Sequence, residues 1–331
     1  MTGAAFPPDS PLPQRVRLVE VGLRDGLQSA PITLSTERKV RLARDLLEAG
    51  VRHIQVASFV NPTRVPQMAD AEALSVALRP LTEEFPDAEF SGLALNLRGV
   101  ERLAAAGLQN VDLSLSASEP HSRRNAGMSI AQATEQLTDS IRVAREYGLT
   151  VRAGVQCVFG STPGENIPLE RVTALATTLL DSGATELALA DSAGLADPLT
   201  LARTVSHVRA AIADTPLTLH LHDTRGLGIA NLVTAIRLGI HSFDTAFGGL
   251  GGCPFIPGAA GNIGTEDTVH VLDAMGIETG VDLAATTRAT ARAEEWLGQS
   301  MPSTVYQLIR DGTYQAANRS AQENRLAANS L

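Results

Sequence analysis

The sequence predicts an α/β protein, a closed (β/α)8 (TIM) barrel, on three observations. Eight short runs rich in Val, Ile and Leu recur along the chain, at 16–23, 53–58, 89–95, 110–117, 150–159, 186–191, 217–223 and 242–249. The segments between them carry helical period: Ile130, Ala133, Leu137, Ile141 and Ala144 are spaced by three and four and keep one apolar stripe toward a sheet. Several of these segments end in glycine (Gly50, Gly107, Gly148, Gly183 and Gly239), where a residue that tolerates positive φ closes a helix and admits the next strand.

Strands separated by helices run parallel, and eight such units in about 250 residues fit a closed barrel better than an open sheet. An open doubly wound sheet is expected to carry G-x-G-x-x-G after its first strand, and GLRDGLQ at 22–28 is not that motif. The expected organisation is a mobile arm over 1–14, a catalytic barrel over 15–298 and a polar tail over 299–331, with a short additional C-terminal helical segment. The arm has four prolines, no basic leader and no long apolar run, so neither a signal peptide nor a membrane anchor is expected.

With 331 residues and 44% hydrophobic content, the chain can bury a sizeable core. Its net charge is −9 and no Lys/Arg run exceeds two residues, which argues against nucleic acid or an anionic membrane as a partner. Its two cysteines, Cys157 and Cys253, lack metal-knuckle spacing and point to a reducing, cytoplasmic setting.

In a parallel barrel the functional face lies at the C-terminal ends of the strands. Polar residues collect there: Arg24 and Asp25 after the first run, Gln55 and Ser58 on the second, Asn96 after the third, Ser116 and Glu119 after the fourth. Gln156 and Cys157 follow on the fifth, Asp191 on the sixth, and His220, His222 and Asp223 on the seventh. In HLHD (220–223), period-two alternation turns both imidazoles to one face, into the barrel mouth. They are either a pair of core histidines satisfied by hydrogen bonds or two ligands converging on one ion. Asp25 across the barrel and Asn262 after the eighth run favour the ion. Two imidazoles, a carboxylate and an amide oxygen suit Mg2+ or Mn2+ better than zinc. Such a cation would chelate a hydroxyl and a carbonyl or carboxylate oxygen and ease loss of the hydroxyl proton.

VEVGLRDGLQ (19–28), SFVNPTRVPQMAD (58–70), HLHDTRG (220–226) and GGLGGCPFIPGAAGNIGTED (248–267) resemble the 3-hydroxy-3-methylglutaryl-CoA lyases, within the wider group of metal-dependent TIM-barrel lyases and synthases. The similarity runs from about residue 16 to 298. It implies retro-aldol cleavage of a 3-hydroxyacyl-CoA bearing a second carboxylate, giving acetyl-CoA and a β-keto acid (acetoacetate if the substrate is HMG-CoA), by a homodimer. It makes Asp25, His220, His222 and Asn262 the metal ligands. Arg24 then stabilises the developing thioester enolate, unless it is simply ion-paired to a strand carboxylate. Cys253, in a glycine-flanked loop, would help proton transfer, its alternative being a buried inert thiol. Asp191 resembles a carboxylate kept beside the site to orient a histidine or water. Glu266 and Asp267 sit either behind the ligands or as helix caps. Gln28, Gln55, Ser58, Asn96 and Arg152 are candidate substrate contacts; Arg152, like Arg123 and Arg124, is a candidate for CoA phosphates or an ordinary salt-bridge partner.

Three departures bear on the substrate. Where the lyases show a glutamate in E-x-T-S-F-V, this chain has Gln55, an amide that can neither take a proton as a base nor supply charge. The lyase W-V-P-Q becomes Arg64-Val65-Pro66-Gln67. The C-x-x-x-C-P-Y after strand five becomes Cys157 to Pro163, without the second cysteine or the tyrosine. The metal chemistry is expected to persist with a different acyl group. The other readings are a condensing synthase of the same superfamily and a catalytically silent acyl-CoA-binding barrel. The synthases usually read H-x-H-N-D and continue into a long C-terminal domain, whereas HLHDT here is followed by a short tail.

Overall fold

The computed structural model describes residues 12–252 and 261–314. Eight parallel strands, β1 (Arg17–Glu20), β2 (His53–Ser58), β3 (Glu89–Ala94), β4 (Asn110–Ser116), β5 (Thr150–Gln156), β6 (Glu186–Asp191), β7 (Leu217–Leu221) and β8 (Ser242–Thr245), follow one another around a closed barrel. β8 pairs back to β1 in register, Val19 beside Asp244 and Glu20 beside Thr245. Every strand falls within a run read from the sequence.

Each helix is set by local chemistry. Ile130–Glu146 begins with a reciprocal Ser129–Gln132 capping box and buries Ala133, Leu137, Ile141 and Ala144 against the sheet. The five closing glycines all adopt positive φ, 96° at Gly50 and 112° at Gly183 among them. At Gly50 the backbone has no room for a side chain, since a Cβ would lie 2.1 Å from the Gly280 carbonyl oxygen.

Several strands are shorter than their apolar runs, and at β1 and β7 this shapes the mouth. After β1 the chain turns into a single wide helical turn over Gly22–Gly26, where the N–H groups of Arg24, Asp25 and Gly26 all reach the Val21 carbonyl. β7 ends at Leu221, and His222 instead forms an antiparallel bridge with Asn262.

The short additional helical segment expected at the C-terminus is present and packs on the barrel's helices. Past residue 298, Met301 and Tyr306 are fully buried, and the helix Thr304–Arg310 packs on the helices Thr265–Ala274 and Leu283–Leu297. The Tyr306 hydroxyl donates to Glu294 at 2.5 Å. The buried residues here are too few and too widely interrupted by polar ones to register as an apolar stripe, so this segment reads as polar in sequence although it packs on the outer helices. Among the described residues no helix is long and apolar enough to cross a membrane.

Candidate active site

The site grows from the two strand ends just described. The helical turn after β1 sets Arg24 and Asp25 at the barrel mouth, while the end of β7 supplies His220 and His222. The two imidazole Nε2 atoms lie 2.9 Å apart. Asp25, His220 and His222 each bring a ligand atom to within 4.8 Å of the others. All three line a cavity of about 150 Å3 with Arg24, Gln55 and Arg152. It shares Gln28, Val60 and Leu95 with a wider chamber above it.

The cluster's electrostatics suit a cation. Burial alone would raise the Asp25 carboxyl, but Arg24, then both imidazoles and the Asn262 amide, hold it below the usual carboxylate range. Burial, with His220 next to it, pushes His222 down to about 3, so its ring is neutral and offers a lone pair. His222 Nδ1 and Asn262 Oδ1 are buried without a hydrogen-bond partner. Two converging imidazoles, that of His222 neutral, an ionised carboxylate and an unpartnered amide oxygen fit a divalent cation of the Mg2+ or Mn2+ kind.

Asn262 stands differently from the other three. Its Nδ2 donates to Asp25 Oδ2 at 2.8 Å and to the Leu250 carbonyl at 2.9 Å. A carboxylate attracts the donor end of an amide, so in this arrangement Asn262 braces Asp25 with its nitrogen, and its oxygen is the free end. Gly251 allows the contact, because a Cβ there would lie 2.1 Å from Asn262 Nδ2.

Arg24 is gripped from two sides: Nε donates to Gln55 Oε1 and Nη1 to Asp25 Oδ1. The ion pair foreseen as an alternative to a catalytic role is thus made with Asp25 itself. Gln55 reaches the cavity while serving as the acceptor that aims Arg24. Ser58 donates to Gln28 Oε1 at 2.6 Å, which places Gln28 at the mouth with Ser58 behind it. Asn96 lines the outer chamber, and its side chain caps the helix Leu97–Ala106 at the Gly99 N–H, 3.0 Å away.

The remaining candidates have structural partners. Of the two readings of Arg152 the salt bridge is the one made: it lies inside the barrel, with Nε on Asp112 and Nη1 on Asp244 at 2.6 Å. An inward position on a central strand buries a guanidinium, and burial demands carboxylate partners. Asp191 spends both oxygens on the loop after β6, accepting from Leu195 N at 2.8 Å and Ala196 N at 3.0 Å. Burial raises its carboxyl. Glu266 and Asp267 touch no ligand. Glu266 accepts from Gly248 N at 2.9 Å and from the Thr290 hydroxyl, and Asp267 accepts from Val305 N at 2.8 Å, so they hold the β8 loop and the C-terminal segment. Arg123 pairs with Glu119 on the helix surface. Cys253 lies outside the described residues.

Two carboxylates beside the site escaped the sequence reading. Asp244 Oδ2 lies 3.1 Å from His220 Nδ1. Glu20, at the end of β1, accepts from Gly22 N at 2.6 Å, Phe247 N at 3.1 Å and Thr265 Oγ1 at 2.6 Å, tying the β1 turn to the β8 loop. Burial pushes its carboxyl up to about 8. The one available signal was a charged residue within an otherwise apolar strand run, VEV and SFD.

Fold and site together define a class, a (β/α)8 enzyme with a carboxylate and two imidazoles gathered at the C-terminal mouth. Residues 15–292 match the HMGL-like family model, and the chain belongs to that family, whose relatives here are lyases. It is 35% identical to a hydroxymethylglutaryl-CoA lyase of Bacillus subtilis over 91% of this chain and 99% of the relative. It is 39% identical to an (R)-citramalyl-CoA lyase of Chloroflexus aurantiacus over 88% and 94%. The Bacillus subtilis HMG-CoA lyase crystal structure superimposes with a TM-score of 0.86, covering 91% of this chain and all of that one. An Acinetobacter baumannii HMG-CoA lyase in complex with coenzyme A and 3-methylmalate gives a TM-score of 0.84 at 35% identity, covering 90% and 96%.

Proposed function

We propose that the protein is a divalent-cation-dependent carbon–carbon lyase acting on a 3-hydroxyacyl-CoA with a second carboxylate, releasing acetyl-CoA and a keto acid. The observation that carries this is the convergence of Asp25, His220 and His222 in one cavity with the guanidinium of Arg24. Relatives of similar identity named for HMG-CoA and for citramalyl-CoA support a CoA thioester and leave the acyl group as the variable.

When bound, Mg2+ or Mn2+ would supply Lewis acidity to the substrate's hydroxyl and carbonyl oxygens. Asp25, His220 and His222 would hold it, with Asn262 turned to present its oxygen. As a base at the mouth takes the 3-hydroxyl proton, C3–O becomes the carbonyl of the released keto acid, the C2–C3 bond breaks, and the pair of electrons from that bond moves onto the thioester as an enolate. Arg24, fixed by Gln55 and Asp25, offers positive charge where the enolate oxygen forms, a contribution that appears only in the transition state. Cys253 is the proposed partner for protonating the enolate carbon.

Gln55 favours an acyl group other than the simple 3-methyl compound. The amide keeps Arg24 in place without neutralising it, so the pocket is more positive than one with a glutamate there. Mg2+ or Mn2+ as the native ion, a homodimer and a cytoplasmic location belong to the same reading, tested by metal analysis of the purified protein, light scattering and fractionation. The central test follows acetyl-CoA release from HMG-CoA and citramalyl-CoA with Mg2+ present. No release from either, or from a wider panel of 3-hydroxyacyl-CoA esters, would overturn the lyase assignment.

A further inference from the structure

We infer that Asp244 is a positioning residue, its carboxylate fixing the tautomer of His220 so that Nε2 turns an unprotonated lone pair to the cluster. This rests on the reading of the cluster as a cation site.

The register between β7 and β8 puts His220 and Asp244 side by side at the same height in the barrel. Asp244 Oδ2 lies 3.1 Å from His220 Nδ1, and both residues are buried. A carboxylate only accepts, so the hydrogen of the neutral ring belongs on Nδ1 and the lone pair on Nε2, the atom facing His222. The other oxygen of Asp244 is held by Arg152 at 2.6 Å. Arg152 is held in turn by Asp112, whose second oxygen accepts from Ser91 Oγ at 2.6 Å. Asp244 therefore cannot rotate away from the imidazole without breaking a buried ion pair. The row Asp112–Arg152–Asp244–His220 crosses the barrel interior and ends on a metal-facing nitrogen, a role that packing alone would not require of it.

The arrangement makes Asp244→Asn diagnostic. Arg152 donates only, so it claims the single amide oxygen, and the amide NH2 then faces His220 Nδ1. The ring must accept there and carry its hydrogen on Nε2, the wrong nitrogen for a ligand.

The experiment is 15N NMR of histidine-labelled, metal-free protein, with the His220 signals assigned through His220→Gln, combined with Mn2+ titration by calorimetry. The expected result is a protonated Nδ1 and an unprotonated Nε2 in the wild type, reversed in Asp244→Asn, with Mn2+ affinity falling about 10–100-fold. A wild-type His220 protonated on Nε2 overturns the proposal without any variant. So does an Asp244→Asn protein with the wild-type tautomer and Mn2+ affinity. A wild type with the expected tautomer that binds no Mn2+ or Mg2+ supports the role of Asp244 and overturns the cation reading instead.

Discussion

Arg24 donates through Nε to the amide oxygen of Gln55, a neutral acceptor holding the guanidinium nearest the cation cluster. An amide aims the arginine as a carboxylate would and adds no negative charge of its own, while the ion pair of Arg24 is made with Asp25. Gln55→Glu is expected to keep the contact and add one negative charge to the cavity. The ratio of kcat/KM for HMG-CoA to that for citramalyl-CoA should move about tenfold or more toward HMG-CoA, roughly 1.4 kcal/mol of transition-state preference. Parallel steady-state assays of the two proteins check this; an unchanged ratio would mean that Gln55 does not set the acyl preference.

Removal of the cation should silence the enzyme reversibly. Incubation with a chelator is expected to abolish acetyl-CoA release, and Mn2+ or Mg2+ to restore it. Because the ion would bind only the folded chain, saturating Mn2+ at about 100 times its Kd should stabilise the wild type by about 2.7 kcal/mol. His222→Ala should lose that stabilisation together with activity. Thermal melts of both proteins with and without Mn2+ provide the check, and an equal shift in the two would place the ion elsewhere.

Glu20 predicts a pH dependence of stability. Its carboxyl titrates at about 8 in the folded protein because burial disfavours the charged form, against 4.5 when unfolded. The folded state therefore holds the proton more tightly. The contribution of Glu20 is fully present below pH 4.5 and is lost as pH rises through 8. Glu20→Gln, which keeps an acceptor for Gly22 and Phe247, should remove that slope and stabilise the protein at pH 8 by an amount on the order of a few kcal/mol relative to pH 5. Urea denaturation across this range tests it, the same slope in both proteins being the adverse result.

Met301 ties the C-terminal segment to the site. It is fully buried, and its side chain packs so closely over Gly248 that a Cβ at the glycine would lie 2.9 Å from Met301 Sδ. Met301→Ala should cost about 2–5 kcal/mol through the cavity it leaves. Chain deletion from residue 299 onward should lower both stability and Mn2+ affinity, since Gly248 leads into the loop that carries Gly251. A truncated protein with wild-type melting and Mn2+ binding would confine the segment to a passive tail.

The eight β/α units were legible because both periods, two for strands and three to four for helices, are local properties of the chain, and so are the glycines that separate them. His220 and His222 were legible for a related reason: once a strand end is located, its alternation says which side chains enter the mouth, whereas Arg24 and Asp25 were legible only as polar residues following a strand and are set by the helical turn after β1. The working partner of each charge was not. Arg152 was open between a phosphate contact and a salt bridge, and only the closed barrel sets it between Asp112, 40 residues away, and Asp244, 92 residues away. Asp191 and Glu266 carry chemistry suited to a site, and the fold also uses them to hold loops. Whether a buried carboxylate faces an imidazole or a backbone N–H depends on which neighbouring strand reaches it.

The sequence by itself determined the repeat of strand and helix and the polar residues at the strand ends, since each follows from interactions a few residues long. Only the tertiary structure decided the ion row beneath His220, the bracing of the β8 loop by Glu20 and Glu266, and the docking of Met301 and Tyr306. Those depend on strand register and barrel closure, which place buried charges far apart in the chain within hydrogen-bond distance, where each must find its partner or be neutralised.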